Sequence, residues 1–149
     1  SVFKTGCAGR ITAFSETDDK RYLITLSGLI RFDVGEEIST SRGYRRVVPD
    51  WSPYKTDYLD EKNFQFNKER LLTALKRYFE KKAIDADWET INKMDDARLV
   101  TTLAMICPFD PPEQQALLMA KNIEERAETI ISLLEISTHE TNEVGDARH

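Results

Sequence analysis

The sequence predicts an α+β fold in which a β half precedes an α half. In residues 22–34, apolar side chains alternate with polar ones, which is typical of a strand with one buried face. From Leu71 onward, apolar residues instead recur every three or four positions, as in amphipathic helices. With 149 residues, of which 40% are hydrophobic, the chain suffices for one domain divided into two subdomains.

The β half contains a predicted hairpin. Residues 6–15 form the expected partner of strand 22–34, and 17–20 form the turn between them. Gly28 indicates a bulge or bend within the second strand, and residues 35–37 are expected to break it. Another strand is predicted near 44–51, at the sheet edge because proline at position 49 cannot donate to a ladder.

The α half contains several helices whose starts are marked by capping residues. Asn67, Asp87, Asp95, Asp110 and Asn122 each precede a stretch with helical periodicity. The first such stretch carries the stripe Leu71, Leu72, Leu75, Tyr78 and Phe79. We expect a β subdomain over 1–60, a helical subdomain over 67–137 and a flexible tail over 138–149.

The sequence carries no recognised catalytic motif. The sequence lacks the glycine-rich phosphate loops, and its two histidines, His139 and His149, both lie near the C-terminus. Cys7 and Cys107 are expected to be packed side chains, since no histidine is placed to activate a thiol. We therefore predict no catalytic, cofactor-binding or metal-binding residues, and no cofactor.

Charge and hydropathy restrict the partners. The formal net charge of -5 makes nucleic acid an unlikely partner, since that affinity comes from cationic side chains. Apolar runs are too short for a membrane span, and the two distant cysteines suit the reducing cytoplasm. Because the chain starts Ser1-Val2-Phe3-Lys4 and enters a predicted strand at once, we expect a fragment whose N-terminal part is missing.

Several motifs resemble the N-terminal substrate-binding domain of Lon-type ATP-dependent proteases. They are GCAGRI at 6–11, YLITLSGLIRF at 22–32, YRRV at 44–47, PEQQALL at 112–118 and ERAE at 125–128. Gly28, Arg31 and Phe32 fall on a strand pattern of that family, whereas Gln114 stands where lysine is common. The family's opening strands have no counterpart here. The likeness is to a stand-alone bacterial Lon-domain protein, truncated at its N-terminus.

This resemblance implies a partial PUA-like β-barrel followed by an α-helical bundle. It also implies a non-catalytic role, since neither the ATPase motif nor the Ser-Lys dyad of the full protease is present. The first functional hypothesis is a module that binds unfolded proteins or peptides in proteolysis or protein quality control. The alternative is an RNA-binding PUA-like domain, and an undetected enzyme is the third class.

Ile30, Phe32, Trp51 and Tyr54 are the candidate protein-binding residues. An incomplete sheet would present an open edge beside an apolar face, a template for another extended chain or for self-association. The competing expectation is that the connector around Trp51 and Tyr54 folds over that edge and covers it.

Overall fold

A computed structural model of the protein describes residues 2–59 and 64–139, which form two compact units, Ser1–Asp60 and Glu61–His149. The first contains strands β1 (Thr5–Glu16), β2 (Tyr22–Ile38) and β3 (Arg46–Asp50), followed by a 3₁₀-helix (Ser52–Tyr58). The second contains helices α1 (Lys68–Lys82), α2 (Trp88–Lys93), α3 (Asp96–Ile106), α4 (Pro111–Met119) and α5 (Ile123–His139). The α+β class is thus confirmed.

The sheet unit is an open antiparallel sheet in the order β1-β2-β3. The predicted hairpin, its turn and the edge position of β3 are all confirmed. Ile30 pairs with Ala8 and Gly28 with Gly9, so Leu29 is an extra residue in β2 and forms the predicted bulge.

Residues 35–37 do not break β2, contrary to the sequence prediction. The strand instead continues to Ile38 through an irregularity in its pairing with β3. A Cβ at Gly35 would lie 2.8 Å from the carbonyl oxygen of Val48. Glycine therefore lets the two backbones approach at the irregularity, which explains a residue that had suggested a strand end.

The prediction that one whole face of β2 is buried is also wrong. Tyr22, Ile24 and Leu26 are exposed, because within the sheet unit no described element packs over them. Ile30 and Tyr54 are the buried hydrophobic side chains of this unit among its described residues. Alternation predicts which side chains share a face only between irregularities such as the Leu29 bulge, and it does not supply a layer to cover that face.

Local sequence signals define the helical unit well. The Asn67 side chain accepts a hydrogen bond from Arg70 N–H at 2.9 Å, and the Asn122 side chain accepts one from Glu125 N–H at 2.8 Å. At α4, the Glu113 carboxylate accepts from Asp110 N–H at 2.7 Å, as a capping-box acid does. All five predicted helix starts are confirmed.

A continuous hydrophobic core fills the helical unit. Its fully buried members include Leu71 and Leu75 of α1 and Ile130, Ile131 and Leu134 of α5. Cys107 is also buried there, as predicted. The predicted tail falls mostly outside the described residues, and Thr138 and His139 are the last two residues of α5.

Hydrogen exchange will separate the two units. Amides in 130–134 are expected to exchange far more slowly than those in 11–14 and 22–26, because burial of apolar side chains stabilises the first segment and not the others. Native-state exchange followed by mass spectrometry on the full chain measures both. Equal protection of the hairpin would mean that another chain covers it in solution.

Candidate functional site

A buried ion pair holds the 3₁₀-helix against β2. Arg31 Nη2 donates to Asp57 Oδ1 at 2.6 Å and Arg31 Nε to Asp57 Oδ2 at 2.9 Å. The backbone N–H of Arg31 donates to Asp57 Oδ2 as well, at 3.0 Å. The two side chains are only 8% and 14% exposed, so this bidentate pair is largely screened from water.

Tyr54 links this ion pair to β1. The Arg31 guanidinium lies 4.5 Å from the centre of the Tyr54 ring, a cation–π contact. The Tyr54 hydroxyl lies 3.2 Å from Thr5 Oγ1 and 3.3 Å from Asp33 Oδ1. We call Thr5, Arg31, Asp33, Tyr54 and Asp57 the anchor cluster, since they connect both long strands to the 3₁₀-helix.

Asp33 stays ionised within the anchor cluster. The hydrogen bond from the Thr5 hydroxyl, together with Lys4 nearby, holds the pKa of the Asp33 carboxyl below its ordinary value. A depressed pKa stabilises the folded state above the unfolded carboxyl's ordinary value of 3.8. That contribution is lost as the pH falls below it.

The structure divides the four candidate binding residues into two pairs. Tyr54 is buried in the anchor cluster. Ile30 is also buried, and it directly precedes Arg31 of that cluster in the sequence. Phe32 is half-buried and packs edge-on against the exposed Trp51, with ring centres 5.2 Å apart. A Cβ at position 6 would lie 2.8 Å from the Phe32 ring, so Gly6 makes room for that ring on the paired strand.

The connector covers part of the sheet edge. The pairing of β2 with β3 ends at Asp33. Two residues earlier in β2, the Asp57 carboxylate accepts a hydrogen bond from the backbone N–H of Arg31. Residues 52–66 show no helical periodicity, so the sequence did not indicate a 3₁₀-helix here, although Pro53 in its first turn is a residue type that favours a helix start. The connector therefore covers the edge of β2 near Arg31 and no further along the strand.

The part of the hairpin formed by residues 9–29 is open. β1 is an edge strand, and β3 pairs with β2 only between Asp33 and Ile38. Residues 9–29 are all exposed, on both strands. Two edges and two faces of this distal hairpin therefore lie in solvent, a combination that natural sheets normally avoid.

One face of the distal hairpin is apolar. Ile11 is the cross-strand partner of Leu26, and Phe14 is the partner of Ile24. The Phe14 and Tyr22 rings stack at 5.0 Å. We call these five residues the apolar hairpin face; their exposed fractions run from 46% at Ile24 to 66% at Leu26. A contiguous exposed apolar face of this kind is a candidate interaction surface.

The opposite hairpin face is more polar. Ala13 pairs with Thr25, and Arg10 pairs with Ser27. Thr25 and Ser27 are exposed like their apolar neighbours in β2, but they alternate with them onto the other side of the sheet. Apart from Leu23, which is 66% exposed, this face carries small or polar side chains, so the hairpin is amphipathic and Thr25 serves as a matched control position for Ile24.

The geometry contains no catalytic constellation within residues 2–59 and 64–139. No group of three or more metal-ligating side chains occurs in that part of the chain. Cys7 is exposed, contrary to the prediction that it would be packed, because it lies on edge strand β1. Burial raises the pKa of the Cys107 thiol to about 11, which keeps it protonated and unreactive.

The helical unit offers one further surface of interest. A shallow groove of about 460 Å³ lies between α1 and α2, lined by Leu72, Thr73, Lys76, Trp88 and Asn92. Tyr78 of α1 is only 2% exposed, so the accessible surface between these two helices is the groove beside Trp88.

The chain is similar to known proteins along most of its length. The model of the ATP-dependent protease La (LON) substrate-binding domain matches residues 1–135. The chain belongs to this family. No curated protein matches it significantly. The fold recurs in a Lon N-terminal domain protein from Xanthomonas campestris, with TM-score 0.54 and 18% identity over 87% of this chain and 68% of that one.

A second solved structure gives the same result. The N-terminal domain of the Mycobacterium avium complex Lon protease matches with TM-score 0.53 and 14% identity, over 89% of this chain and 70% of that one. The protein is therefore a Lon N-terminal-like module, and the matched domain is a non-catalytic part of the protease. The RNA-binding alternative is not favoured. Within the described residues no helix is long and apolar enough to cross a membrane.

The Lon strand motif has a structural meaning in this chain. Gly28 lies at the bulge of β2, Arg31 forms the ion pair of the anchor cluster, and Phe32 packs on Trp51. Asp57 was not singled out from the sequence, because its partner lies 26 positions away and no local signal connects them.

Removing the charge of Asp57 will destabilise the sheet unit. Asp57→Asn leaves the Arg31 guanidinium buried beside an uncharged partner, and we expect a loss of about 2–4 kcal/mol. Urea unfolding of a Trp88→Phe variant measures it, because Trp51 then reports the sheet unit alone.

The matched control for that substitution is Glu37→Gln. Its pair with Arg45 is about half exposed on both sides, so we expect a loss below about 1 kcal/mol. Equal losses from the two substitutions would show that the Arg31–Asp57 pair does not hold the sheet unit together.

Thiol labelling will distinguish the two cysteines. The disulfide reagent DTNB should modify exposed Cys7 within the mixing time and Cys107 only as the helical unit unfolds. The raised pKa of Cys107 stabilises the fold fully below pH 9, and this contribution declines as the pH rises toward 11. Rapid modification of both thiols in the native protein would contradict this assignment.

Proposed function

We propose that this Lon-family module binds extended, unfolded segments of other proteins on the apolar hairpin face, in the service of proteolysis or protein quality control. The observation that carries the proposal is that face itself: five large apolar side chains left in solvent in a member of a substrate-binding family. An unfolded segment exposes the apolar side chains that a native protein buries, so this surface selects it over folded proteins.

The open strand edges supply the second element of recognition. An extended peptide can pair with the backbone of β1 while its alternate side chains contact the apolar hairpin face. Backbone pairing is independent of sequence, and apolar contact requires only hydrophobic side chains. Together they suit a module that must accept many different clients.

Phe32 and Trp51 form a second proposed contact on the other face of the sheet, since Phe32 pairs with Gly6, which lies an odd number of positions from Ile11 along β1. Their edge-on aromatic contact leaves Trp51 40% exposed, and an indole with one free face is a common anchor at protein interfaces. Ile30 and Tyr54, which the sequence also suggested as contacts, are buried and are therefore not accessible to a client.

The remaining features of the proposal concern the whole protein. We propose that it works without catalysis of its own and without a cofactor, as a stand-alone bacterial Lon-domain protein in a reducing cytoplasm. The two unpaired cysteines support that compartment. Self-association through an open sheet edge is a proposal of the same kind, since β1 lies at the edge of the sheet.

Client binding will depend on the apolar hairpin face. Fluorescence anisotropy of a labelled, reduced and unfolded protein should show binding that Ile24→Asp weakens at least tenfold, because a carboxylate would have to be desolvated in an apolar contact. Thr25→Asp places the same charge one residue away on the other face and should leave the affinity within about twofold.

Trp51→Ala tests the second proposed contact. Binding should weaken if the indole contacts the client, and it would strengthen if the indole acts as a lid over the strand edge. Equal binding by the wild type and all three variants would move the site to the helical unit, where the groove beside Trp88 is the next candidate.

A further inference from the structure

The groove beside Trp88 has apolar walls that are held in place by the helical core. Leu72 of α1 and Trp88 of α2 line it, and both side chains are partly buried against that core. The Trp88 ring packs on Phe79, with ring centres 5.9 Å apart, and Phe79 is itself only 5% exposed. The indole is therefore supported from beneath, while the rest of its surface is available to a ligand.

Three hydrogen-bond donors line the same groove. Thr73 and Lys76 lie three positions apart on α1, so they share one face of that helix. Asn92 lies four positions after Trp88 and shares its face of α2. The three exposed side chains offer a hydroxyl, an ammonium and an amide NH₂ group. Apolar walls with a small number of polar groups are the usual composition of a ligand site.

Within the described chain, the Lys76 ammonium is not engaged. On the same helix, Lys68 pairs with Asp96 at 2.6 Å and Arg70 pairs with Glu135 at 2.6 Å. Lys76 forms neither an ion pair nor a hydrogen bond with any residue of 2–59 or 64–139. An anionic group of a ligand can therefore match its charge without breaking an existing contact.

The described lining of this groove also contains no carboxylate. Glu69 and Glu80, the two acidic residues of α1, do not line it. Carboxylates do line two other cavities of the helical unit, Glu135 in one and Asp110 with Glu113 in the other. An anionic ligand is repelled by such carboxylates, so the groove beside Trp88 suits it better than either of those cavities.

We propose that this groove binds the C-terminus of a polypeptide whose last residue is large and apolar. The terminal carboxylate accepts hydrogen bonds from Lys76 and from the uncharged donors, and the side chain of the same residue lies against Trp88 and Leu72. An internal acidic residue does not fit, because it carries its carboxylate in place of an apolar side chain. The inference goes beyond the proposed function, since it assigns a second recognition site with a different ligand.

The size of the groove suits a chain end. Its volume of about 460 Å³ falls within the range of about 300–1,000 Å³ that holds drug-sized ligands, which leaves room for the last two residues of a chain. The protein belongs to a substrate-binding family, and every protein substrate has one such end. Chain termini usually lie at the surface, so this site can contact a client before the client unfolds.

Fluorescence anisotropy with the full chain tests the proposal. The probe is a peptide that is labelled at its N-terminus and ends in Leu-Phe with a free carboxylate, and its control is the same peptide with an amidated C-terminus. The free acid should bind saturably and at least tenfold more tightly than the amide, because the amide loses the charge-assisted hydrogen bonds. Equal affinity of the two peptides, or no saturable binding of the free acid, would overturn the proposal.

Substitutions locate the site. Lys76→Gln removes the cation and Asn92→Asp adds a carboxylate to the groove, so each should weaken binding of the free acid at least tenfold. The matched control is Lys93→Gln, because Lys93 is 73% exposed, pairs with Glu89 and does not line the groove. Its effect should stay within about twofold. Circular dichroism checks the fold of each variant, and equal effects of the two lysine substitutions would contradict a site in the groove.

The two proposed sites can fail separately. An unfolded client that binds wild type and Ile24→Asp equally would refute the proposed function and leave the groove site standing. If Ile24→Asp abolishes binding of the free-acid peptide and Lys76→Gln does not, the chain end binds the apolar hairpin face and the groove proposal fails. Tighter binding of decanoate, an apolar carboxylate that is not a peptide, would show a small-molecule site and would also overturn it.

Discussion

The Arg31–Asp57 ion pair determines how far the sheet unit is covered. Its carboxylate satisfies the guanidinium and also the backbone N–H of Arg31, and so fixes the 3₁₀-helix at one point on the edge of β2. Burying two charges is costly, and this geometry offsets the cost through several hydrogen bonds and the Tyr54 ring. Around Arg31 the strands are partly covered, and from residue 9 to residue 29 the hairpin is open.

This arrangement separates stability from recognition. The helical unit contains the continuous core, so its fold does not require the exposed residues of the hairpin. The sheet unit buries few side chains and instead leaves a large apolar face in solvent. A module that receives unfolded segments needs such a surface, and it needs a scaffold whose stability does not depend on whether that surface is occupied.

Sequence reasoning succeeded wherever the deciding interaction is local. Asn67 and Asp110 begin helices because their caps act within four residues, and the order of the Lon motifs identified the family. It failed where the deciding interaction is distant or absent. Leu26 has the pattern of a buried residue but no layer above it, and Asp57 gains its role from an arginine 26 positions earlier. Of the four candidate contacts, Ile30 and Tyr54 are buried, and their burial too depends on residues that are distant in the sequence.

Site-specific photo-crosslinking examines the central claim most directly, because it records contact rather than affinity. A benzophenone amino acid replaces Phe14 on the apolar hairpin face or Ala13 on the opposite face, and an unfolded, reduced client is added before irradiation. The account predicts client adducts from position 14, with adducts from position 13 at least fivefold fewer. Equal yields from both positions, or adducts from neither while anisotropy shows binding, would contradict it.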